Sequence, residues 1–109
     1  MSQKAPTDLH RAATSLDALG HQARLEIFRL LVKAGSEGLN VSEILQCLEI
    51  APSTMAYHLK ILVDANLVNQ ERYGRQMVNT ANFNVMNQTI SFLTSECCSA
   101  VNPGEKSFA

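Results

Sequence analysis

Two adjacent cysteines, Cys97 and Cys98, are the side chains of this sequence best suited to bind a ligand. Thiolates select soft metals, and two neighbouring sulfurs can hold one thiophilic ion between them. A disulfide between adjacent residues closes a strained ring, so the pair is a poor structural staple. The residues alone favour a plainer alternative, in which Cys97 extends an apolar helical stripe and Cys98 is incidental. The third cysteine, Cys47, has apolar neighbours and is expected to be a small buried hydrophobe, with a lesser claim to be a third ligand.

Residues 39–67 predict two short helices joined by a tight turn. The first has apolar residues at spacings of three and four, with Ser42 as its expected N-cap. Pro52 suits the first position of the second helix. The second helix has a polar face that its own core does not need, formed by Ser53, Thr54, Tyr57, His58 and Lys60. Such a pair fits either a helix-turn-helix, whose second helix reads the DNA major groove, or an ordinary helical hairpin with one wet face.

A β-hairpin is predicted immediately after this helix pair. Asn66 is expected to end the second helix with a positive φ. Residues 67–72 and 76–80 then flank the loop Tyr73-Gly74-Arg75. Arg72 and Arg75 stand near the tip, where a wing would touch phosphates or enter the minor groove. The alternative is a surface hairpin with solvated arginines, but an isolated hairpin is only marginally stable and needs the helices beneath it.

The remaining helices complete a mainly α fold with a small β-hairpin wing, an α+β winged helix-turn-helix. A first helix is expected from Thr7 or Asp8 to Gly20, a second over residues 21–34, and a last one from Asn82 or Asn84 to about Ser95. The second helix is expected to turn Leu25, Phe28, Leu31 and Val32 inward and Arg24, Glu26, Arg29 and Lys33 mostly outward. A brief strand at residues 39–41 would pair with the wing. The first and last helices carry apolar stripes, which predict a homodimer interface unless they pack within one subunit. The stripes are Leu9, Ala12, Ala13, Leu16 and Leu19, and Met86, Ile90, Leu93 and Cys97.

The chain as a whole fits one small domain. Its 109 residues divide into a frayed start at 1–7, a domain at 8–98 and a flexible tail at 99–109. The start does not resemble a signal peptide and no apolar run reaches about 20 residues, so a cytoplasmic protein is expected. The net charge of −1 predicts only a small DNA footprint per subunit, doubled by dimerisation. An enzyme is not expected, because the three histidines fall in separate elements.

Three blocks of the sequence resemble the ArsR/SmtB family of winged-helix metalloregulatory repressors, and the resemblance spans residues 16–98. The blocks are LDALGHQARLEIFRLLVKAG, PSTMAYHLKILVDANLV and the wing ERYGRQ. The resemblance implies a homodimer that binds operator DNA and leaves it when an effector binds. It implies DNA contacts from the wing and from the helix that begins at Pro52. We predict that the contacting residues are Ser53, Thr54, Tyr57, His58, Lys60, Arg72, Arg75 and Gln76.

Most effector ligands known in that family are missing from this sequence. Its cysteine-bearing motif falls on Asn40, Ser42 and Leu45, no histidine follows His58, and Phe28 and Arg29 occupy the vicinity of its redox cysteine. The segment TSECC resembles the arsenic-responsive branch. The resemblance therefore implies that Cys97 and Cys98 bind trivalent arsenic, as arsenite or methylarsenite, with the methylated form favoured because it has two bonds left to make. Two alternatives remain, a thiol-redox or reactive-sulfur-responsive repressor using the same cysteines, and a protein-interaction module that does not read DNA.

Overall fold

The computed structural model describes residues 7–99, which form five α-helices, one 3-10 turn and a two-stranded antiparallel sheet. In chain order the elements are α1 (Asp8–Leu19), α2 (Gln22–Ala34), the 3-10 turn Gly35–Glu37, α3 (Val41–Cys47), α4 (Pro52–Asp64), β1 (Val68–Tyr73), β2 (Gln76–Ala81) and α5 (Phe83–Thr94). The predicted fold class, mainly α with a hairpin wing, is confirmed. The predicted start and tail lie almost entirely outside the described residues. Within residues 7–99, every helix is too short or too polar to cross a bilayer.

Short polar side chains fix where the helices begin. The Thr7 hydroxyl accepts a hydrogen bond from the backbone N–H of His10 at 3.1 Å, and Asn82 caps α5 in the same way. The predicted N-cap of α3, Ser42, is wrong. Asn40 caps this helix through a reciprocal pair, because its Oδ1 accepts from the N–H of Glu43 while the Glu43 carboxylate accepts from the N–H of Asn40, at 2.8 and 2.9 Å. This capping box satisfies two amides that a seven-residue helix cannot satisfy itself.

The core lies where α2 meets α3, α4 and the base of the hairpin. Its fully buried apolar side chains come from all of these elements: Ile27, Leu31, Ile44, Met55, Leu62 and Leu67. The predicted inward face of α2 is partly wrong, since Leu25 is 43% exposed while Ile27 is buried. The buried stripe therefore runs through positions 24, 27, 28 and 31, one helical face at spacings of three and four. Arg24 belongs to that face and is half-buried instead of solvated.

The wing is fastened to the body of the domain at its middle. Leu39 and Asn79 exchange two backbone hydrogen bonds of 2.9 and 2.8 Å, so the predicted brief strand is reduced to a single bridge. Gly38 makes this approach possible, because its φ is +65° and a Cβ there would overlap the Asn79 carbonyl oxygen. The hairpin pairs Tyr73 with Gln76, which shortens the predicted loop to two residues. Gly74, at the first loop position, has φ +63°, a conformation natural to glycine.

Candidate nucleic-acid interface and dithiol site

The exposed face of α4 starts at its N-terminus and continues for two turns. Ser53, Thr54, Tyr57 and Lys60 are all exposed, and Tyr57 is 61% exposed. The N-cap residue of α4, Ala51, offers no side-chain acceptor to the first-turn amides. Those amides are therefore available to an anion at the positive end of the helix dipole. Hydroxyls, a phenol and free N–H groups on one surface fit phosphate oxygens and base edges.

Lys60 forms an ion pair with Asp64 on the same helix. Its Nζ lies 2.9 Å from Asp64 Oδ2, and both side chains are largely exposed. An exposed pair of this kind is weak, on the order of 0.3–0.5 kcal/mol for an i,i+4 spacing, so a phosphate can compete for the ammonium. Lys60 is therefore able to supply a positive charge on the face of α4.

His58 does not belong to this exposed face, and its predicted place there is wrong. The side chain is buried, with 5% exposure, and Arg24 Nη1 lies 3.2 Å from its Nδ1. The reason is helical spacing, because positions 55, 58, 59 and 62 form the stripe that α4 turns toward the core. Burial, followed by the electrostatic effects of His21 and Arg24, lowers the pKa of His58 below its ordinary value. The spacing of His58 from Met55 and Leu62 places it on the apolar stripe of α4, and this spacing was the local signal for its burial.

The wing places two cations at its tip. Arg72 and Arg75 are exposed, and within residues 7–99 neither guanidinium lies at ion-pair distance from a carboxylate. The nearby carboxylate of Glu71 instead accepts a hydrogen bond from the Tyr73 hydroxyl at 2.8 Å. This bond, together with the negative charge of Glu71, raises the pKa of Tyr73. Gln76 is exposed at the same tip, with its amide 3.4 Å from Asn40.

Cys97 and Cys98 lie in a turn just beyond the end of α5. The backbone N–H of Cys97 donates to the Thr94 carbonyl oxygen at 2.9 Å, and Cys98 has φ +64°. Both thiols are exposed and their sulfur atoms are 3.3 Å apart. Because α5 ends at Thr94, Cys97 lies in the following turn and does not continue the apolar stripe as part of the helix.

Cys47 is the last residue of α3 and is exposed, so its interpretation as a buried hydrophobe is wrong. α3 ends at this residue. Within residues 7–99, no cluster of three or more histidine, cysteine or acidic side chains is arranged to hold a metal ion. Cys47 therefore does not join Cys97 and Cys98 in one subunit.

The first and last helices pack against each other and leave large apolar side chains in solvent. On α1, Leu9 is 62% exposed and Leu16 is 43% exposed. On α5, Ile90 is 53% exposed and Leu93 is 58% exposed. Contiguous apolar surface of this kind on a small domain is typical of a protein interface.

Comparison with known proteins places these features in a family. A family described as a helix-turn-helix domain matches residues 19–71. The arsenical resistance operon repressor of Bacillus subtilis (strain 168) is 32% identical over 99 residues, which are 89% of each chain. The solved ArsR-like transcriptional regulator from Rhodococcus sp. RHA1 superposes with a TM-score of 0.70 at 26% identity, covering 78% of this chain and 77% of that one. A homodimeric winged helix-turn-helix DNA-binding domain from Mycobacterium bovis has a TM-score of 0.63 at 20% identity, covering 96% of this chain and all of that one. The chain therefore belongs to the ArsR family of winged-helix, DNA-binding transcriptional repressors.

Proposed function

We propose that this chain is a homodimeric repressor that binds operator DNA and releases it when trivalent arsenic bonds to Cys97 and Cys98. The observation that carries the proposal is the pair of exposed sulfurs 3.3 Å apart at the end of α5. The name of the Bacillus subtilis relative, an arsenical resistance operon repressor, supports the same class of effector. The DNA contacts proposed are those of the exposed α4 face and the wing, without His58.

The spacing of the two sulfurs suits a trivalent centre better than a tetrahedral one. Sulfurs about 2.3 Å from a common ion, the usual metal–thiolate distance, and separated by 3.3 Å subtend an angle of about 90°. Tetrahedral zinc requires about 109° and four ligands, whereas residues 7–99 offer no such cluster. A three-coordinate arsenic with a lone pair has bond angles near a right angle. This spacing of the sulfurs supports the proposed arsenic centre.

The number of thiols distinguishes the two forms of trivalent arsenic. Methylarsenite, CH₃As(OH)₂, exchanges both hydroxyls for the two thiols, and each thiol proton leaves with a hydroxide as water. Two As–O and two S–H bonds break while two As–S bonds and two waters form, so no oxidant is needed. Arsenite keeps one hydroxyl after the same exchange and gains from a third sulfur, which Cys47 does not supply within the subunit. We therefore expect methylarsenite to be the stronger effector.

Dimerisation doubles the proposed DNA-contacting surface. The cations on the proposed surface of one subunit are Lys60, Arg72 and Arg75, and Lys60 is paired with Asp64. A twofold dimer built on the exposed faces of α1 and α5 doubles this footprint and sets two α4 helices on successive major grooves about 34–36 Å apart. The related fold from Mycobacterium bovis is a homodimer, which supports the proposal of a homodimer.

Binding at the end of α5 is coupled to DNA through the dimer geometry. An effector that prefers one arrangement of the subunits lowers DNA affinity by the same factor by which DNA lowers effector affinity. Because the cysteines directly follow a helix with exposed Ile90 and Leu93, new bonds to their sulfurs act on the proposed interface itself.

The test is a DNA-release titration of the purified protein. A duplex is first selected from a randomised library by the wild-type chain, and fluorescence anisotropy then follows its release by methylarsenite, arsenite, zinc and peroxide. We expect methylarsenite to release the DNA at the lowest concentration. Cys97→Ser and Cys98→Ser should each abolish release, whereas the exposed Cys47→Ser should behave as the wild type. Release of DNA from the Cys97→Ser, Cys98→Ser double variant by arsenicals would refute the site.

The second candidate is a thiol-redox repressor, and the contact between the two exposed sulfurs is the observation that favours it. Two thiols and one hydrogen peroxide give a disulfide and two waters, a balanced two-electron oxidation. Release by peroxide or polysulfide, with no response to arsenicals, would favour this function over the first.

A further inference from the structure

A polar cluster lies between α2 and α4, on the side of α4 that faces the core. Arg24 Nη1 is 3.2 Å from His58 Nδ1, and Arg24 Nε donates to the Ala18 carbonyl oxygen at 2.6 Å. Ala18 lies in the last turn of α1, where carbonyl oxygens have no partner within their own helix. One guanidinium therefore joins the end of α1 to the middle of α4.

The chemistry of the two side chains fixes the protonation state of His58. A guanidinium only donates hydrogen bonds, so Nδ1 of His58 must be the acceptor and its ring proton must be on Nε2. A doubly protonated imidazole has no acceptor left. Protonating His58 would then replace a hydrogen bond by two like charges 3.2 Å apart.

The surroundings of His58 reinforce its neutral form. His21, at the start of α2, has its ring centroid 4.6 Å away, and Tyr57 on α4 approaches edge-on at 5.4 Å. Within residues 7–99, no carboxylate lies at ion-pair distance from Arg24, His21 or His58. The groups facing His58 are therefore a guanidinium, a second imidazole and a phenol, and none of them stabilises a positive charge by ion pairing. Burial, His21 and Arg24 together lower the pKa of His58.

We propose that Arg24 and His58 form a pH-sensitive positioning pair that holds α4 against the end of α1 in its DNA-binding orientation. The proposal rests on the part of the proposed function in which α4 meets DNA, and it does not depend on arsenic. Acidification protonates His58, breaks the pair and lets α4 shift relative to α1. DNA affinity then falls as the pH falls.

The sign of this effect separates a positioning role from direct contact. A histidine that touched a phosphate would bind DNA more tightly when protonated, because it would gain a charge-assisted hydrogen bond. A buried histidine that accepts from Arg24 does the opposite. Comparing the wild type with a variant that cannot titrate at position 58 separates the contribution of His58 protonation from the general effect of pH on DNA binding.

The test compares affinities at pH 7.5 and 5.5 at constant ionic strength and without any arsenical, using the duplex selected at pH 7.5. His58→Asn is the conservative variant, since its Oδ1 accepts from Arg24 near the place of Nδ1 but does not titrate. Taking the range of about 5- to 150-fold that is typical of coupled sites, we expect acidification to weaken the wild type about tenfold more than His58→Asn. His10→Asn, an exposed change of the same type on α1, should retain the wild-type response. Equal responses of the wild type and His58→Asn, or tighter binding of the wild type at pH 5.5, would overturn the proposal.

A second measurement reports on the pair without DNA. Two-bond ¹H–¹⁵N correlation spectra of the full chain should show His58 as the Nε2–H tautomer, and Arg24→Met should raise the pKa of His58. Arg29→Met removes the same charge from the exposed side of α2 and should leave the tautomer and pKa unchanged. An Nδ1–H tautomer in the wild type would overturn the pair, whereas failure to select any duplex would count only against the proposed DNA site.

The same pair affects folding stability with a definite sign. Because the pKa of His58 in the folded chain lies below 6.5, its ordinary value, the unfolded chain binds more protons near that pH. The stabilisation is therefore present above pH 6.5 and is lost as the pH falls through and below it. The melting temperature of the wild type should drop more than that of His58→Asn between pH 7.5 and 5.5, and an equal drop would contradict the pairing.

Discussion

Leu93 on α5 offers a direct test of the proposed dimer. Complete burial of a leucine contributes about 2 kcal/mol, and 58% of Leu93 is still exposed in the single subunit. Covering the remainder contributes about 1.2 kcal/mol per copy, or about 2.4 kcal/mol for the two copies that a twofold interface brings together. Since 1.4 kcal/mol is a factor of ten, Leu93→Gln is expected to weaken dimerisation about 50-fold.

Sedimentation equilibrium over a range of concentrations measures this effect as a change in the dimer dissociation constant. Leu25→Gln is the matched control, because Leu25 is also an exposed leucine, at 43%, but lies on α2 outside the proposed interface. Glutamine forms helices about as well as leucine, so neither variant should unfold its helix. If Leu93→Gln dimerises as tightly as the wild type, or if both variants weaken the dimer equally, the α1–α5 interface is refuted.

Three further predictions concern the elements that position the DNA surface. Gly38→Ala should lower the free energy of unfolding by several kcal/mol, because the new Cβ overlaps β2. Gly35→Ala, with an equally positive φ but open space around it, should cost about 1–3 kcal/mol of backbone strain, and chemical denaturation distinguishes the two variants. Removing Arg72 or Arg75 should reduce the slope of log affinity against log salt by about one each, measured by anisotropy, and an unchanged slope would exclude a phosphate contact. Asn40→Ala should destabilise the chain by about 1 kcal/mol in thermal unfolding while Asn40→Asp retains the cap, and an Asn40→Asp variant as unstable as Asn40→Ala would show that the loss does not come from the capping bond.

Most of the fold was predictable because its signals are local. Pro52 at the first position of α4, the positive φ of Asn66 and the glycine of the hairpin loop each act through their own backbone preferences. The cap of α3 was also readable, since Asn40 and Glu43 have the spacing of a capping box. Ser42 has a suitable residue type for an N-cap, but Asn40 also has the partner three positions along the chain that a capping box requires.

The errors at the candidate site arose where polar side chains lie on buried faces. Arg24 and His58 are both polar, and each occupies the apolar stripe of its helix. Either side chain alone would be expensive to bury, because an unpaired polar group in the core loses its hydrogen bonds to water. The two side chains can lie there together, because Arg24 donates a hydrogen bond and His58 accepts it. A pairing between residues 34 positions apart has no local signal, so it became visible only when the helices were packed.

Within the proposed function, the position of the two thiols limits how arsenic can release DNA. Cys97 and Cys98 follow α5, which packs against α1, and Arg24 joins the end of α1 to α4. An effector has no influence on DNA unless it binds the two subunit arrangements with different affinities. Moving a dimer from 99% competent to 1% competent requires about 5.5 kcal/mol, or about 2.7 kcal/mol for each of two sites. In the proposed mechanism, the arrangement of the subunits that binds DNA holds the two sulfurs less favourably for a common arsenic atom than the released arrangement does.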